Sequence, residues 1–453
     1  PEPGHDLHLT LDYELQQIAS EALDHALSET GADGGDLLLI APGTGEILAA
    51  ASHRSTGGAV WSAITEPYEP GSTLKPFLIA SLLSEDVVHL TDSLYAEHGR
   101  FRAEGGRVIT DVHPYDTITV REGLEHSSNI AMAKLALRLP PVTQFRYLRD
   151  FGFGTITALD YPSESSGRLR RPEQWSGLSQ QSLAIGYEIS VTPLQMALAY
   201  GSLANGGELM EPRLVRDARS RDGREGIEFP PRRVRRVISE SVAEAVADVL
   251  ASAVEVGTGQ RASLGAYRVA GKTGTALRTG ADGYDAGRYT ASFAGFFPAE
   301  DPQVVFLVKL DNPQGDYYGG LTAAPVLRET LAGAMAAHRS ILNRSAPELA
   351  TAQAEPSRPG PPGGTPEKLS PGRTIHVILG DTLSSGQPAQ KGTLLPDSVR
   401  VPDVTGLNIR QATFQLHRAG LTVQVDTFDP VTAMSPEPGT LVERGRLIRL
   451  RRP

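Results

Sequence analysis

The chain has 453 residues, a net charge of −10 and no cysteine. That length allows about two to four domains with real cores. The acidic balance argues against a nucleic-acid footprint, which is usually basic, and the missing cysteine excludes disulfides, thiol chemistry and cysteine-bound metals.

Residues 1–9 read as a tail. Leu15, Ile18, Ala19, Ala22, Leu23, Ala26 and Leu27 recur at helical spacing behind a candidate N-cap, Asp12, and predict a helix ending near Gly31. Apolar runs over 36–41 and 46–52 flank Pro42-Gly43-Thr44-Gly45 and predict a hairpin. Their all-apolar character suggests a sheet covered on both faces. Gly71-Ser72-Thr73-Leu74-Lys75-Pro76 opens the next helix, and residues 90–118 are polar and glycine-rich. Thr119 and Glu122 form a capping box on a short helix that runs into His126-Ser127-Ser128-Asn129 and a helical stretch over 130–137. Thr192-Pro193-Leu194-Gln195 is a second capping box, with its helix stopping at Asn205-Gly206-Gly207. Ser239 caps another helix, and Gly257-Thr258-Gly259 follows it. Three strands are predicted over 267–276, 289–298 and 303–310, then a helix over 326–339 with Pro325 at its start. This order predicts an α/β (α+β) fold: an antiparallel sheet with helices on both faces and a large helical insertion between its second and third strands. Residues 345–372 are rich in Pro, Gly, Ala and Ser and read as a flexible linker, with a strand expected over 373–380. A small terminal domain then offers a helix over 409–419 and strands over 421–425 and 446–450, with few core residues.

The chemistry concentrates at Ser72. Of the six lysines, only Lys75 follows a serine by three, and only Lys272 opens a Lys-Thr-Gly. On a helical turn, positions i and i+3 share a face. Pro76 lacks an N–H and disfavours the αR region at Lys75, so a 3₁₀-like turn with a close Ser72–Lys75 contact is expected. The bland alternative is a serine N-cap beside a solvated lysine. A serine hydroxyl is a poor nucleophile until a base takes its proton. Lysine can do so once burial or a second cation lowers its pKa, and Lys272 is a candidate for that cation. Ser127 could relay a proton to a leaving amine and Asn129 could hold a substrate amide, although the same residues would serve as a helix cap. Lys272, Thr273, Gly274 and Thr275 offer a cation, a hydroxyl, a side-chain-free surface and a backbone donor. Strand alternation points Lys272 and Thr273 to opposite faces, so both can serve one cleft only on an edge strand. His126 reads as packed, Tyr317 and Tyr318 as rim packing, and Arg232-Arg233-Val234-Arg235-Arg236 as a solvated charge run with at most a weak hold on anionic wall polymer. The eleven histidines show no metal-ligand spacing, and no cofactor is implied.

Taken together, these three motifs resemble the penicillin-recognising serine transferases and hydrolases, a set that also includes the class A β-lactamases. Pro42-Gly43-Thr44-Gly45, Glu69-Pro70-Gly71-Ser72, Phe151-Gly152-Phe153-Gly154, Thr192-Pro193-Leu194-Gln195 and Tyr317-Tyr318-Gly319-Gly320 extend the likeness to a class B penicillin-binding protein. Val401-Pro402-Asp403-Val404-Thr405-Gly406 with Pro436-Glu437-Pro438-Gly439 resembles a PASTA module, as seen on some septal members. The resemblance implies a transpeptidase domain over 8–343 with a five-stranded sheet and a helical subdomain, a linker over 344–395 and a PASTA-like domain over 396–453. It implies that Ser72 attacks the D-Ala-D-Ala carbonyl of a peptidoglycan stem peptide, with Lys75 as base and Ser127 as relay. Asn129 would hold the peptide amide, Lys272 and Thr273 the terminal carboxylate, and the N–H groups of Ser72 and Thr275 the oxyanion. β-Lactams would acylate Ser72, and cell-division or cell-wall synthesis proteins are the expected partners. No stretch reads as a membrane span or signal peptide, and the chain starts at Pro1, which fits a processed or truncated product whose N-terminal membrane anchor lies upstream, on the extracytoplasmic face. The stretch 52–61 is shorter than the family's usual loop, which leaves acceptor preference open. A β-lactamase would need a Glu-x-x-Leu-Asn element, and none is found. A D,D-carboxypeptidase, or a sensor that labels without turnover, remains as a competing reading.

Overall fold

The computed structural model describes residues 5–337, 342 and 398–451, apart from 55–60, 105, 160, 221–225, 266, 281–282, 408–411, 413–414, 417–418 and 426–430. The chain divides into two units, Pro1–Ala334 and Met335–Pro453.

In the first unit, helix α1 (Tyr13–Thr30) starts where Asp12 accepts a hydrogen bond from Leu15 N at 3.1 Å and stops at left-handed Gly31. Strands β1 (Gly34–Ile40) and β2 (Ile47–Arg54) form the expected hairpin. Between β2 and the next sheet strand lie helices α2 (Lys75–Ser84), α3 (Val120–Glu125), α4 (Asn129–Ala136), α5 (Pro193–Ala204) and α6 (Glu240–Glu255), among other helices and small strands. Strands β3 (Ala270–Gly280), β4 (Gly283–Phe297) and β5 (Val304–Asp311) follow, then helix α7 (Gly319–Ala336). The sheet order is β3-β4-β5-β1-β2, antiparallel throughout, so β3 is an edge. Leu38 and Ile40 join the core under α5 with Val305, Leu307 and Tyr200. Leu37 and Leu39 alternate to the other face and are equally buried. A Cβ on Gly35 would lie 2.9 Å from Leu23 of α1, and one on Gly333 of α7 would lie 3.0 Å from Ile18 of α1, so α1 and α7 pack together.

Three expectations change here. Asp6–Leu9 is a strand paired with Val215–Arg219, not a tail. Helix α7 begins at Gly319, so Pro325 lies inside it. A proline there frees the carbonyl four residues back, and Arg261 Nη1 reaches that Leu321 oxygen at 3.4 Å. The arginine run is exposed as expected, but Arg233 and Arg236 pair with Glu208 at 2.7 Å and Arg235 with Asp150 at 3.2 Å. Its charge is thus largely answered by carboxylates. All four expected N-caps, at Asp12, Thr119, Thr192 and Ser239, form.

In the second unit, β6 (Ser398–Arg400) pairs with β9 (Leu441–Glu443). Strand β10 (Leu447–Arg451) lies parallel to β7 (Thr422–Val425) and antiparallel to β8 (Ala433–Ser435). Val399, Val401, Val404, Leu416, Leu421, Ile448 and Leu450 are among the residues of its small core. The linker and the strand expected over 373–380 lie outside the described residues, as does most of the helix expected over 409–419.

Candidate active site

Ser72 sits in a 3₁₀ turn, Gly71–Leu74, that leads into α2. Gly71 takes φ 55°, a left-handed conformation that favours glycine, and donates its N–H to Gly186 O at 3.1 Å, and a Cβ there would crowd Thr275 O at 3.1 Å. Thr73 Oγ1 donates to Pro70 O at 2.8 Å, and the buried Tyr200 hydroxyl of α5 donates to Thr73 O at 2.9 Å. The turn is therefore fixed from α5 and from the edge strand. The predicted 3₁₀ geometry holds, but Lys75 is αR (φ −56°, ψ −38°). Pro76 falls in the first helical turn, where its missing N–H costs nothing, and the packing of α2 overrides the local bias at Lys75. No hydrogen bond joins Ser72, which is half-buried, to Lys75.

The Lys75 ammonium instead reaches the Ser127–Asn129 turn. An ammonium has three donors, and all are used: Ser127 O at 2.6 Å, Asn129 Oδ1 at 2.7 Å and Ser127 Oγ at 3.1 Å. As a neutral amine, Lys75 keeps two donors for the two oxygens that can only accept. Its lone pair then faces a hydroxyl, and Ser127 Oγ can donate to it. Burial pushes Lys75 down to about 7, partly opposed by the charge of Asp111. Ser127 is left-handed (φ 61°), a conformation a non-glycine residue holds only when its surroundings impose it. Ser128, not Ser127, caps α4, accepting from Ala131 N at 3.0 Å. That leaves the Ser127 hydroxyl free for Lys75. Asn129 Nδ2 donates to Thr110 O at 3.0 Å, so one N–H of its amide remains. His126 stacks on Tyr115, as expected of a packed histidine.

On the edge strand, Lys272 is wholly buried and its amine lies 3.3 Å from Thr273 O, 3.4 Å from Thr273 Oγ1 and 3.5 Å from Thr258 Oγ1. The edge position lets the Lys272 chain turn back to the Thr273 hydroxyl, which resolves the alternation problem. The two threonine hydroxyls bond each other at 2.7 Å. Burial first, and the Lys75 charge second, hold Lys272 well below the ordinary lysine range. At Gly274, a Cβ would meet Ser292 Oγ at 2.4 Å, Pro70 O at 2.8 Å and Thr73 Cγ2 at 2.9 Å. Its missing side chain admits the serine turn. Thr275 Oγ1 accepts from Gly319 N at 3.1 Å, and a Cβ on Gly319 would meet Gly274 O at 2.4 Å. That close approach explains the glycine after Tyr317-Tyr318; the two rings stack on each other, and that of Tyr317 also on Tyr289.

Lys75, Ser127 and Asn129 thus meet directly, Lys272 and Thr273 meet beside them, and Gly274 seats the Ser72 turn. Sequence reasoning missed Asp111, which binds the Ser127–Asn129 turn, along with Tyr200 and Thr258. Only Thr258 carried a signal. It stands between two glycines, and a Cβ on Gly257 would lie 2.3 Å from Glu125 O.

Residues 35–332 match the penicillin binding protein transpeptidase domain family, and residues 399–451 the PASTA domain family. The chain is 33% identical over 349 residues to the probable peptidoglycan D,D-transpeptidase PbpC of Pseudomonas aeruginosa, covering 74% of this chain and 60% of that one. It thus spans about three fifths of that curated relative's length. The apo transpeptidase domain of Burkholderia pseudomallei penicillin-binding protein 3 superposes with a TM-score of 0.66 at 31% identity, over 74% of this chain and 97% of that one. Penicillin-binding protein 3 of Mycobacterium tuberculosis, solved with aztreonam, gives 0.68 at 29% identity, over 72% and 78%. The chain belongs to the penicillin-binding protein transpeptidase family, among its class B members, and carries a PASTA domain.

Proposed function

We propose that the chain is a serine D,D-transpeptidase that cross-links peptidoglycan stem peptides through an acyl-enzyme on Ser72. Ser72 Oγ attacks the carbonyl of the penultimate D-Ala and gives its proton to neutral Lys75. As the C–N bond breaks, the proton passes through Ser127 to the departing D-Ala amine. An amine of a second stem peptide then attacks the ester, the C–O bond breaks, and Ser72 regains a proton. The observation that carries this reading is the buried Lys75 amine, held by Ser127 and Asn129 three residues from Ser72. Lys272, with Thr273 and Thr258, would receive the terminal carboxylate, whose negative charge would favour the protonated lysine. Asn129 would offer its remaining N–H to the peptide. The N–H groups of Ser72 and Thr275 would hold the oxyanion, where losing one donor costs roughly 3–4 kcal/mol of barrier.

A β-lactam would acylate Ser72 by the same attack, in line with the relative solved with aztreonam. The working location is the outer face of the cytoplasmic membrane, in septal wall synthesis with division proteins as partners, and the working domain bounds are 8–343, 344–395 and 396–453. Among the described residues, no helix is long and apolar enough to cross a membrane. The test is intact-mass analysis and peptide mapping after penicillin treatment, with a Ser72→Ala control, alongside turnover of a D-Ala-D-Ala stem peptide with and without an amine acceptor. The expected result is one adduct on Ser72 and a cross-linked product. An adduct elsewhere sinks the reading, hydrolysis alone favours a carboxypeptidase, and labelling without turnover favours a sensor.

A further inference from the structure

The Ser127–Asn129 turn that grips Lys75 is itself gripped from behind. Asp111 Oδ1 accepts from Asn129 N at 2.6 Å and from Ile130 N at 3.1 Å, and its Oδ2 accepts from Ser128 Oγ at 2.6 Å. One carboxylate thus closes the first turn of α4 and fixes three consecutive residues beside a left-handed serine. The positive end of α4 faces it. Thr110, its neighbour, holds the Asn129 amide so that Oδ1 points at Lys75.

Among the described residues, Lys75 makes no ion pair, yet its amine touches the very turn that Asp111 holds. We propose that Asp111 is a positioning residue for acylation: it locks the Ser127–Asn129 turn onto Lys75 and places a negative charge one layer behind the base. The charged group that acts on Lys75 is Asp111, which favours the ammonium against burial, while the Lys75 charge in turn acts on Lys272. The phenol of Tyr115 also faces Asp111 and is raised by burial and by that charge. This inference rests on Lys75 acting as the base.

Two readouts separate the inference from that reading. One is the rate of penicillin acylation of Ser72 against pH. The other is the titration of Lys75 by NMR with ¹³C-labelled lysine. The chain has only six lysines, and a Lys75→Arg variant assigns the signal. Asp111→Asn keeps the acceptor for the two backbone donors but removes the charge. The ammonium then loses a stabilising partner, so its pKa falls. The acid limb of acylation and the NMR midpoint should both move down by roughly one pH unit. The plateau rate should fall roughly tenfold to a hundredfold from lost positioning. Ser128→Ala removes one hydrogen bond to Asp111 and keeps the charge, so it should lower the rate and leave both midpoints in place. Asp111→Glu should likewise keep the midpoints near wild type, which preserves the test if Asp111→Asn does not fold. Unmoved midpoints in Asp111→Asn, or midpoints displaced as far in Asp111→Glu, overturn the proposal. An NMR midpoint that falls while the acid limb stays would uphold Asp111 and defeat Lys75 as the base.

Discussion

Lys75 and Lys272 are both wholly buried, and neither makes an ion pair among the described residues. Burial without a partner drives such a group to give up its proton, at a cost in stability, so the site is arranged for chemistry at the expense of stability. Replacing Lys272 by Met should therefore stabilise the protein at pH 7 by about 1–3 kcal/mol while impairing stem-peptide turnover. The sign follows from linkage. The folded-state pKa of Lys272 lies below its unfolded value, so near neutrality the unfolded chain binds a proton that the folded one does not. Wild-type stability therefore rises as pH climbs towards the ordinary lysine pKa, and the advantage of the variant should shrink over the same range. Denaturant unfolding at a series of pH values checks this, and a gap that widens with pH would refute it. At this scale much was legible in the sequence. Ser72, Lys75, Ser127, Asn129, Lys272 and Thr273 stand out because few residue types do this chemistry and lysines are scarce. Asp111 was illegible because a lone aspartate in a polar loop has no pattern; only the folded chain brings it to the start of α4.

The element that shapes the site is the edge strand β3 pressed against the Ser72 turn. Gly274 permits that contact, so Gly274→Ala should cost about 1–3 kcal/mol through overpacking and should slow acylation by displacing Ser72. Adding Ser292→Gly relieves the 2.4 Å contact but leaves Pro70 O at 2.8 Å, so the double variant should recover only part of both losses. Unfolding midpoints and labelling rates would show it, and a fully recovered double variant would mean the turn does not bear on the strand. The 3₁₀ turn was foreseen from Pro76, but for a reason the structure rejects, since Lys75 is helical and the irregularity lies before it. The sequence places the start of helix α7 too late because Pro325 reads as a first-turn residue. Its true start at Gly319 is set by contact with Gly274 and Ser292, and no local pattern announces that.

In the first unit, the sheet is closed by residues from its two ends. Strand β5 pairs with β1, and Lys309 Nζ reaches Asp36 Oδ2 at 3.1 Å across 273 positions of sequence. Around Asp36, Arg54 donates at 3.0 Å, Ser52 at 2.7 Å and Ser62 at 2.5 Å, while Lys309 also pairs with Asp311 at 2.7 Å and lies over the Tyr68 ring. Burial alone would raise the Asp36 pKa, but Lys309 and Arg54, with the two serines, hold it below its ordinary value. Ser62 and Tyr68 belong to the segment that delivers Ser72, so this cluster couples closure of the sheet to placement of the nucleophile. The hairpin and the apolar strands were readable one by one; this polar cluster was not, because its members come from four distant stretches. Asp36→Asn leaves Lys309 and Arg54 short of a negative charge inside the core and should cost about 3 kcal/mol. The wild-type contribution of Asp36 is present above its unfolded pKa and fades as pH falls through the lower folded value, so the penalty should be large at pH 7 and small in strong acid. If sheet and site form together, loss of helical circular dichroism and loss of penicillin labelling should coincide in urea, and the variant should shift both midpoints equally. Labelling lost well before the helical signal would mean that the Ser72 turn unfolds independently of the sheet that carries it.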